Sequence, residues 1–322
     1  MQCLSQVRVR DWTTDAILPE PFLSDAGDDL KALFLTTGTP DTEKLVRSFT
    51  SHYPETKVVQ YDLEGVELVK IAEETRPDVT IYIGAIGAFH NGCSVPTTEV
   101  LCRINKIAPM IHICSDAADY PWWPLLEEYH AAGAFRLQVT IDGSYDNPIA
   151  RFGRVALTPV DPILFINRPW AERNHKCGFA GGGGARCDWI LPLKNKGILT
   201  WFNESGYVSY DQFCTYYSQC QLVVNDSRTG TGTKRHMKGR FVEASLAGAV
   251  LVESRDSPAR QWFEPGVDFL EWESTGEIEN HIVAADARRG ENEGMSQRLR
   301  NKIVERHSAG PFWRETLGSI GL

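Results

Sequence analysis

The sequence has little of what marks a membrane protein, a secreted protein or a nucleic-acid-binding protein. No stretch approaches the roughly 20 apolar residues of a membrane span, and the first residues, MQCLSQVRVRDW, lack the apolar core of a signal peptide. Basic residues are in the minority, with 33 Lys and Arg against 42 Asp and Glu, a formal net charge of -9. A surface of that sign repels phosphate backbones. We therefore expect a cytoplasmic protein with no membrane span and no general affinity for nucleic acid.

The cysteine pattern does not favour a disulfide framework or a metal site. Eight cysteines are scattered without a CxxC pair, and no export signal places them in an oxidising compartment. Cys114 and Cys220 lie beside apolar runs and are interpreted as buried thiols. Cys177 and Cys187 flank a run of four glycines, but two thiols without a second pair make a poor zinc site. We expect no metal centre.

Strand-like apolar runs alternate with helix-like runs along the chain, which predicts α/β architecture with doubly wound parallel sheets. A length of 322 residues ordinarily makes two domains of about 150 residues each. The predicted strands are Ala32–Leu35, Lys57–Tyr61, Val79–Ile83, Met110–Cys114 and Leu137–Ile141, then Cys177–Ala180, Ile198–Phe202, Leu222–Val224, Ala249–Val252 and Asp268–Glu271. A proline-containing connection separates the two series, so we predict domains over residues 1–162 and 163–322.

One stretch of the second half has the layout of a site for a phosphate-bearing ligand. The predicted strand Leu222–Val224 runs into a loop rich in glycine and threonine, and a charged helix follows. The glycines of that loop let backbone N–H groups approach an anion at the start of the helix. His236, Arg240 and Glu243 are spaced i, i+4 and i+7, which predicts that they share one face of the helix.

The same stretch carries a family resemblance. RFVEASLAGAVLVESRDSPARQWFEPGVDFLEW, which begins at Arg240, resembles the donor domain of GT-B glycosyltransferases of the spore-maturation-protein type, within the relatives of the group 1 glycosyl transferases. Upstream, KCGFAGGGGAR (176–186) is similar to the strand, glycine-rich turn and arginine that open this domain in the family. The matching positions are Arg240, Glu243-Ala244, Gly248, the strand Ala249–Val252, Phe263-x-x-Gly266 and Asp268. The resemblance extends over roughly residues 163–285.

The resemblance implies two Rossmann-like domains that face a cleft, with the donor on the second domain, the acceptor on the first, and a last helix that returns to the first domain. Arg240, helped by Lys234 or Lys238, is expected to neutralise a nucleotide diphosphate. Glu243 is expected to accept hydrogen bonds from the ribose hydroxyls. The alternative for Arg240 and Glu243 is an i,i+3 ion pair on the helix surface.

The glycine run is the second candidate for donor binding. Gly181 and Gly182 follow a predicted strand and precede Arg186. They are expected to let the backbone approach a phosphate or the sugar, with Arg186 adding positive charge; the alternative is a flexible loop. Neither glycine cluster fits the dinucleotide fingerprint or the P-loop, so binding of NAD or ATP is not favoured.

Candidate catalytic residues come from loops that follow predicted strands of the first domain. His90 and Asp119 are the candidates for general base or for transition-state electrostatics, since glycosyl transfer requires the acceptor hydroxyl to lose a proton. The alternative for His90 is a loop histidine that is hydrogen-bonded to backbone, and the alternative for Asp119 is a helix N-cap. Asp116 is as well placed as Asp119 for the catalytic role. Trp122 and Trp123 stack on a sugar in one interpretation and belong to the core in the other.

The sequence departs from the family at one position that bears on mechanism. Retaining relatives carry a Glu eight positions before the one matched by Glu243, where this chain has Arg235, so retention or inversion stays open. We expect a metal-independent glycosyltransferase that moves a sugar from a nucleoside-diphosphate sugar, its co-substrate, to a hydroxyl of a glycan, lipid or protein, with no other cofactor. The alternatives are a catalytically degenerate GT-B module that binds a nucleotide sugar or glycan, and a nucleotide-sugar epimerase of the same fold.

Overall fold

The fold is taken from a computed structural model. It describes residues 29–37, 40–63, 65–84, 95–115, 123–204, 206, 208–229 and 234–322. In these ranges the chain forms two parallel β-sheets, one after the other along the sequence, and the predicted architecture of two doubly wound domains is confirmed.

The first sheet has the strand order β2-β1-β3-β4-β5-β6, and every pairing in it is parallel. Apolar clusters cover both of its faces, which is why β1 and β4 are buried at every residue. The strands are β1 Ala32–Thr36, β2 Thr56–Gln60, β3 Val79–Gly84, β4 Met110–Cys114, β5 Leu137–Thr140 and β6 Arg154–Val155, and the helices are α1 Pro40–Thr50, α2 Leu68–Thr75, α3 Thr98–Ile107 and α4 Trp123–Ala131.

The second sheet has the strand order β11-β10-β9-β7-β8 and is also parallel throughout. Its central strand β9 is buried along its whole length. The strands are β7 His175–Phe179, β8 Thr200–Trp201, β9 Cys220–Asn225, β10 Val250–Ser254 and β11 Leu270–Trp272, and the helices are α5 Cys187–Asn195, α6 Tyr210–Ser218, α7 Gly239–Leu246 and α8 Thr275–Ala284. The chain passes from one sheet to the other between β6 and β7, and the boundary after residue 162 stays a prediction.

Two helices end the chain, and the second of them lies in the core of the first sheet. They are α9 Arg289–Arg306 and α10 Ala309–Gly318. Trp313 of α10 packs edge-on against Phe49, with ring centroids 4.8 Å apart, and its Nε1 donates to Ser48 Oγ at 3.1 Å. The last helix therefore ties the end of the chain to α1. Over the described ranges, no helix combines the length and the apolar composition that crossing a membrane requires.

One expectation about local structure is wrong. His236 does not share a helix with Arg240 and Glu243, because α7 begins only at Gly239. The preceding segment is extended instead: Arg228 and Arg235 form an antiparallel bridge, and the His236 N–H donates to Ser227 O at 3.0 Å. This pairing connects the two ends of the segment between β9 and α7. The backbone N–H of His236 is thus hydrogen-bonded to Ser227 and is not available for a longer helix.

Candidate functional site

The carboxyl ends of β7 and β9 hold a guanidinium in a fixed position. Arg240, in the first turn of α7, donates through Nε to Asn225 Oδ1 and through Nη1 to Ala180 O, both at 2.6 Å. Its Cζ lies 5.1 Å from the ring centroid of Phe179. Two hydrogen bonds and a cation–π contact thus fix the group where ligands of open α/β sheets bind. Arg240 Nη2 donates to no acceptor among the described residues, so this nitrogen is available to an anion.

The glycine run is packed against this guanidinium. Gly181 has a φ of +149°, and a Cβ there would lie 2.1 Å from Arg240 Nη1, so a side chain at this position would have to displace the guanidinium. Its backbone is also bonded on both sides, since its N–H donates to Asn203 Oδ1 at 2.6 Å and its carbonyl accepts from Trp201 Nε1 at 2.9 Å. Gly182 has open space around it. The run is therefore anchored at Gly181, in contrast to a wholly flexible loop.

Arg186 joins the loop after β7 to the loop after β9. Its Nη2 donates to Arg228 O at 2.6 Å, and its Nη1 donates to Gly182 O at 3.3 Å. The structure thus brings Gly181, Gly182, Arg186 and Arg240 together at one edge of the second sheet.

Arg228 is a third arginine at this edge, and it is not among the residues predicted for the site. It donates to Asp226 Oδ2 through Nε at 2.8 Å and through Nη2 at 2.6 Å, and its Nη1 and Nη2 both reach Asp188 at 3.1 Å. Burial raises the pKa of Asp226, but the hydrogen bonds from Arg228 outweigh burial and leave that pKa below its usual value. Two carboxylates thus neutralise Arg228, unlike Arg240. Its place three residues after the buried strand β9 was the available clue.

Glu243 faces the first domain. Its side chain is only 7% exposed and accepts a hydrogen bond from Lys44 Nζ of α1 at 3.1 Å. Because Arg240 bonds to Asn225 and Ala180, the two residues of α7 do not form the i,i+3 surface pair that was the alternative. Glu243 lies where the domains meet, and its contact with a ribose stays a prediction.

Further contacts cross between the domains at this edge. Lys234 Nζ lies 5.5 Å from the ring centroid of Trp123, at the start of α4. The N–H of Met237 donates to Asp142 O, and Trp262 Nε1 donates to Gly143 O, both at 2.7 Å. Loops that follow β5 and β9 therefore touch one another, and the carboxyl edges of the two sheets face a common cleft.

Glu253, a buried residue that was not predicted for the site, is connected to Arg240 through Asn225. Glu253 on β10 has no solvent exposure, and its Oε2 accepts from Asn225 Nδ2 at 2.5 Å. Burial raises the pKa of Glu253 to about 7, against the opposing effects of the Asn225 hydrogen bond and the Arg240 charge. Nothing in the sequence distinguished this glutamate, which directly follows the predicted strand Ala249–Val252 and lies inside the observed strand β10.

The candidate catalytic residues His90 and Asp119 lie outside the described residues, as do Asp116 and Trp122. Arg235, where retaining relatives have Glu, forms an ion pair with Asp256. Within the ranges that the structure describes, no group of three or more His, Cys, Asp or Glu side chains is placed to hold a metal ion.

Comparisons with known proteins agree with this fold. Residues 167–317 match the family model described as glycosyl transferase-like. No curated protein matches the chain. The solved structures that match it have the GT-B fold, in which two Rossmann-like domains face a cleft. The predicted fold class and the resemblance to GT-B glycosyltransferases are confirmed.

Three of these structures illustrate the similarity. The Anabaena protein Alr3699/HepE, in complex with UDP and glucose, has a TM-score of 0.57 at 16% identity and covers 90% of this chain and 100% of its own. An alpha-glucosyltransferase in complex with UDP and a 13-mer DNA has a TM-score of 0.57 at 11% identity, covering 90% and 99%. A glycosyltransferase from Rickettsia africae has a TM-score of 0.56 at 8% identity, covering 90% and 97%.

Proposed function

We propose that this protein is a glycosyltransferase that moves a sugar from a nucleoside-diphosphate sugar to a hydroxyl acceptor. The observation that carries the proposal is the guanidinium of Arg240, fixed at the carboxyl ends of β7 and β9 beside Gly181. A rigid guanidinium with one unused nitrogen is suited to a diphosphate, because a charge-assisted hydrogen bond contributes roughly 1.5–3 kcal/mol.

Arg240 would stabilise both the bound donor and the departing nucleoside diphosphate. Charge on the leaving group grows as the glycosidic bond breaks, so a fixed positive group there stabilises the transition state more than the ground state. Arg186 is proposed to add positive charge, and Lys234 is the further basic candidate. We propose that these side chains take the role that a divalent metal has in other transferases.

On the acceptor side the proposal uses the first domain. His90 and Asp119 remain the candidates for accepting the proton of the acceptor hydroxyl. Variants of either residue should lose turnover and keep donor binding; normal turnover in both variants would remove them from the mechanism.

The first experiment is a binding panel. UDP, GDP, dTDP, CDP and ADP and their common sugar conjugates would be tested for thermal stabilisation, with NAD and ATP as controls and EDTA present. A ligand at a hundred times its dissociation constant adds about 2.7 kcal/mol to the free energy of unfolding. We expect stabilisation by diphosphates of one base, and no stabilisation by any diphosphate would overturn the proposal.

Arg240→Ala tests the central assignment. Loss of one charge-assisted contact should weaken binding of the stabilising diphosphate at least tenfold. Calorimetric titration measures the change, and Arg255→Ala is a matched control because Arg255 is an exposed arginine that pairs with Glu273. Equal affinity in a folded Arg240→Ala protein would contradict the assignment.

A second candidate, a binding module without catalysis, is favoured by Arg235. The glutamate that retaining relatives have at this position is missing, and Arg235 pairs with Asp256 instead. Such a module would bind the donor and neither transfer nor hydrolyse its sugar. An epimerase would convert the donor alone. Product analysis with donor and with or without acceptor separates the three.

A further inference from the structure

A chain of hydrogen bonds runs across neighbouring strand ends from Glu253 to Arg240. Asn225 and Glu253 stand directly opposite each other in the pairing of β9 with β10, and neither has solvent exposure. Asn225 Nδ2 donates to Glu253 Oε2 at 2.5 Å, and Asn225 Oδ1 accepts from Arg240 Nε at 2.6 Å. Asn225 therefore links the buried carboxylate to the guanidinium.

The chemistry of the three groups gives this chain a direction. A carboxylate only accepts hydrogen bonds and a guanidinium only donates them, whereas the Asn225 amide has one end of each kind. A single orientation of the amide satisfies both neighbours. With no acceptor at position 253 the amide keeps only its hydrogen bond with Arg240, so its orientation is held at one end instead of two. Glu253 thus selects the amide orientation that holds Arg240.

The charges around Glu253 act in opposite directions on its ionised form. Arg240 on α7 stabilises its ionised form, while Asp226 after β9 disfavours that form. Glu271, its register partner on β11, is already ion-paired with Arg260. Burial disfavours the ionised form of a carboxyl group and here raises the pKa of Glu253, so placing a glutamate at this position has a desolvation cost. A stability cost at the edge of a binding site is expected where function requires the group.

We propose that Glu253 is a positioning residue for donor binding, which acts through Asn225 to fix the guanidinium of Arg240 for the donor diphosphate. The inference rests on the proposed function, since that diphosphate is the ligand proposed for Arg240. It assigns Glu253 no contact with the donor.

The test is a double-mutant cycle read by calorimetric titration. The probe is whichever of UDP, GDP, dTDP, CDP and ADP binds the wild type. Glu253→Met should weaken its binding roughly tenfold, the equivalent of one lost hydrogen bond to a charged group. Glu253→Gln should stay within about threefold, because its carbonyl oxygen can still accept from Asn225. In an Arg240→Met background, Glu253→Met should have no further effect on affinity.

Two readouts separate positioning from a merely structural role. Glu253→Met leaves the buried Asn225 Nδ2 without an acceptor, so its free energy of unfolding, from urea titration, should fall below that of the wild type. A loss of affinity that the Arg240→Met background abolishes cannot come from this general destabilisation. Glu271→Met is the matched control, since it removes a glutamate from the neighbouring strand and leaves the chain to Arg240 intact. Glu253→Leu supplies a second apolar replacement if the Met variant does not fold.

Three results would overturn the inference. If Glu253→Met binds the diphosphate as tightly as the wild type, the inference is wrong and the proposed function stands. If the loss of affinity persists without Arg240, Glu253 acts by another route and the inference is again wrong. If the wild type binds none of the five diphosphates, the proposed function fails and takes the inference with it.

Discussion

The two sheets bury polar side chains of different kinds. In the first sheet His112 lies in the middle of β4, stacked on Phe135 with ring centroids 4.6 Å apart and 3.4 Å from the amide nitrogen of Gln138. In the second sheet Glu253 and Arg240 lie at the strand ends, joined through an asparagine. A neutral imidazole can pack in a core without a counter-charge, whereas buried charges must be paired. The second sheet therefore holds its buried charged groups in a hydrogen-bonded chain at the strand ends, the edge at which ligands of open α/β sheets bind.

This difference gives the two groups opposite effects of pH on stability. Burial lowers the pKa of His112 to about 3 from 6.5, so below pH 6.5 the unfolded chain binds a proton that the folded chain does not, and stability falls as pH falls. The pKa of Glu253 rises from 4.5 to about 7, so between these values the folded chain keeps a proton that the unfolded chain releases. Its contribution to stability therefore falls as pH rises through that window.

The largest expected effect comes from neutralising the carboxylate of the second sheet. The pKa of Glu253 differs by about 2.5 units between the folded and the unfolded chain, so the wild type loses stability between pH 4.5 and pH 8. Glu253→Gln removes this loss, and its free energy of unfolding relative to the wild type should therefore be roughly 3 kcal/mol higher at pH 8 than at pH 4.5. Urea titrations of both proteins at the two pH values measure this difference. An equal effect at both values would show that Glu253 does not carry the raised pKa.

A smaller effect of opposite sign is expected in the first sheet. The free energy of unfolding of the wild type should fall by about 2 kcal/mol between pH 7 and pH 5 because of His112, and His112→Leu should abolish this fall. The comparison uses the pH slopes of the two proteins, because the substitution also changes packing. Exposed His130, on α4, is the control position for replacing a histidine by leucine. A wild-type slope in His112→Leu would mean that His112 titrates normally.

The smallest expected effect tests the packing of the glycine run. Gly181→Ala places a methyl group on Arg240 and should weaken diphosphate binding about tenfold by displacing one charge-assisted contact. Gly206→Ala is the matched control, because Gly206 has a similar positive φ of +136° but open space around it. Gly206→Ala strains the backbone without displacing a side chain, so it should lower the free energy of unfolding and leave the affinity for the diphosphate unchanged. Equal affinity losses in the two variants would show that backbone strain, and not contact with Arg240, is responsible.

Much of the fold could be predicted from local patterns. The runs Val79–Ile83 and Met110–Cys114 are predicted as strands and form β3 and β4 with bounds that agree within a residue. Strands of a parallel sheet are buried on both faces, so their sequences are continuously apolar and easily found. The two-residue strand β6 was missed, because Arg154–Val155 has no apolar run and is paired only through its neighbour β5.

Parts of the candidate site were less accessible to such patterns. Helical spacing placed His236 on the face of Arg240, but spacing does not show where a helix begins, and an antiparallel bridge keeps His236 outside α7. The partners of Glu243 were also hidden, since Lys44 comes from α1, nearly two hundred residues earlier in the chain. Local periodicity carries no information about contacts at that separation.

By itself the sequence determined the class of fold, the positions of most strands and the residue types of the donor edge, because burial and turn chemistry act on neighbouring residues. Only the tertiary structure decided which side chains meet. Arg240 is fixed by a carbonyl sixty residues before it and an amide fifteen residues before it, and Glu253 reaches it only because β9 and β10 are adjacent. Hydrogen bonds and ion pairs depend on distances of a few ångströms, and strand order sets those distances.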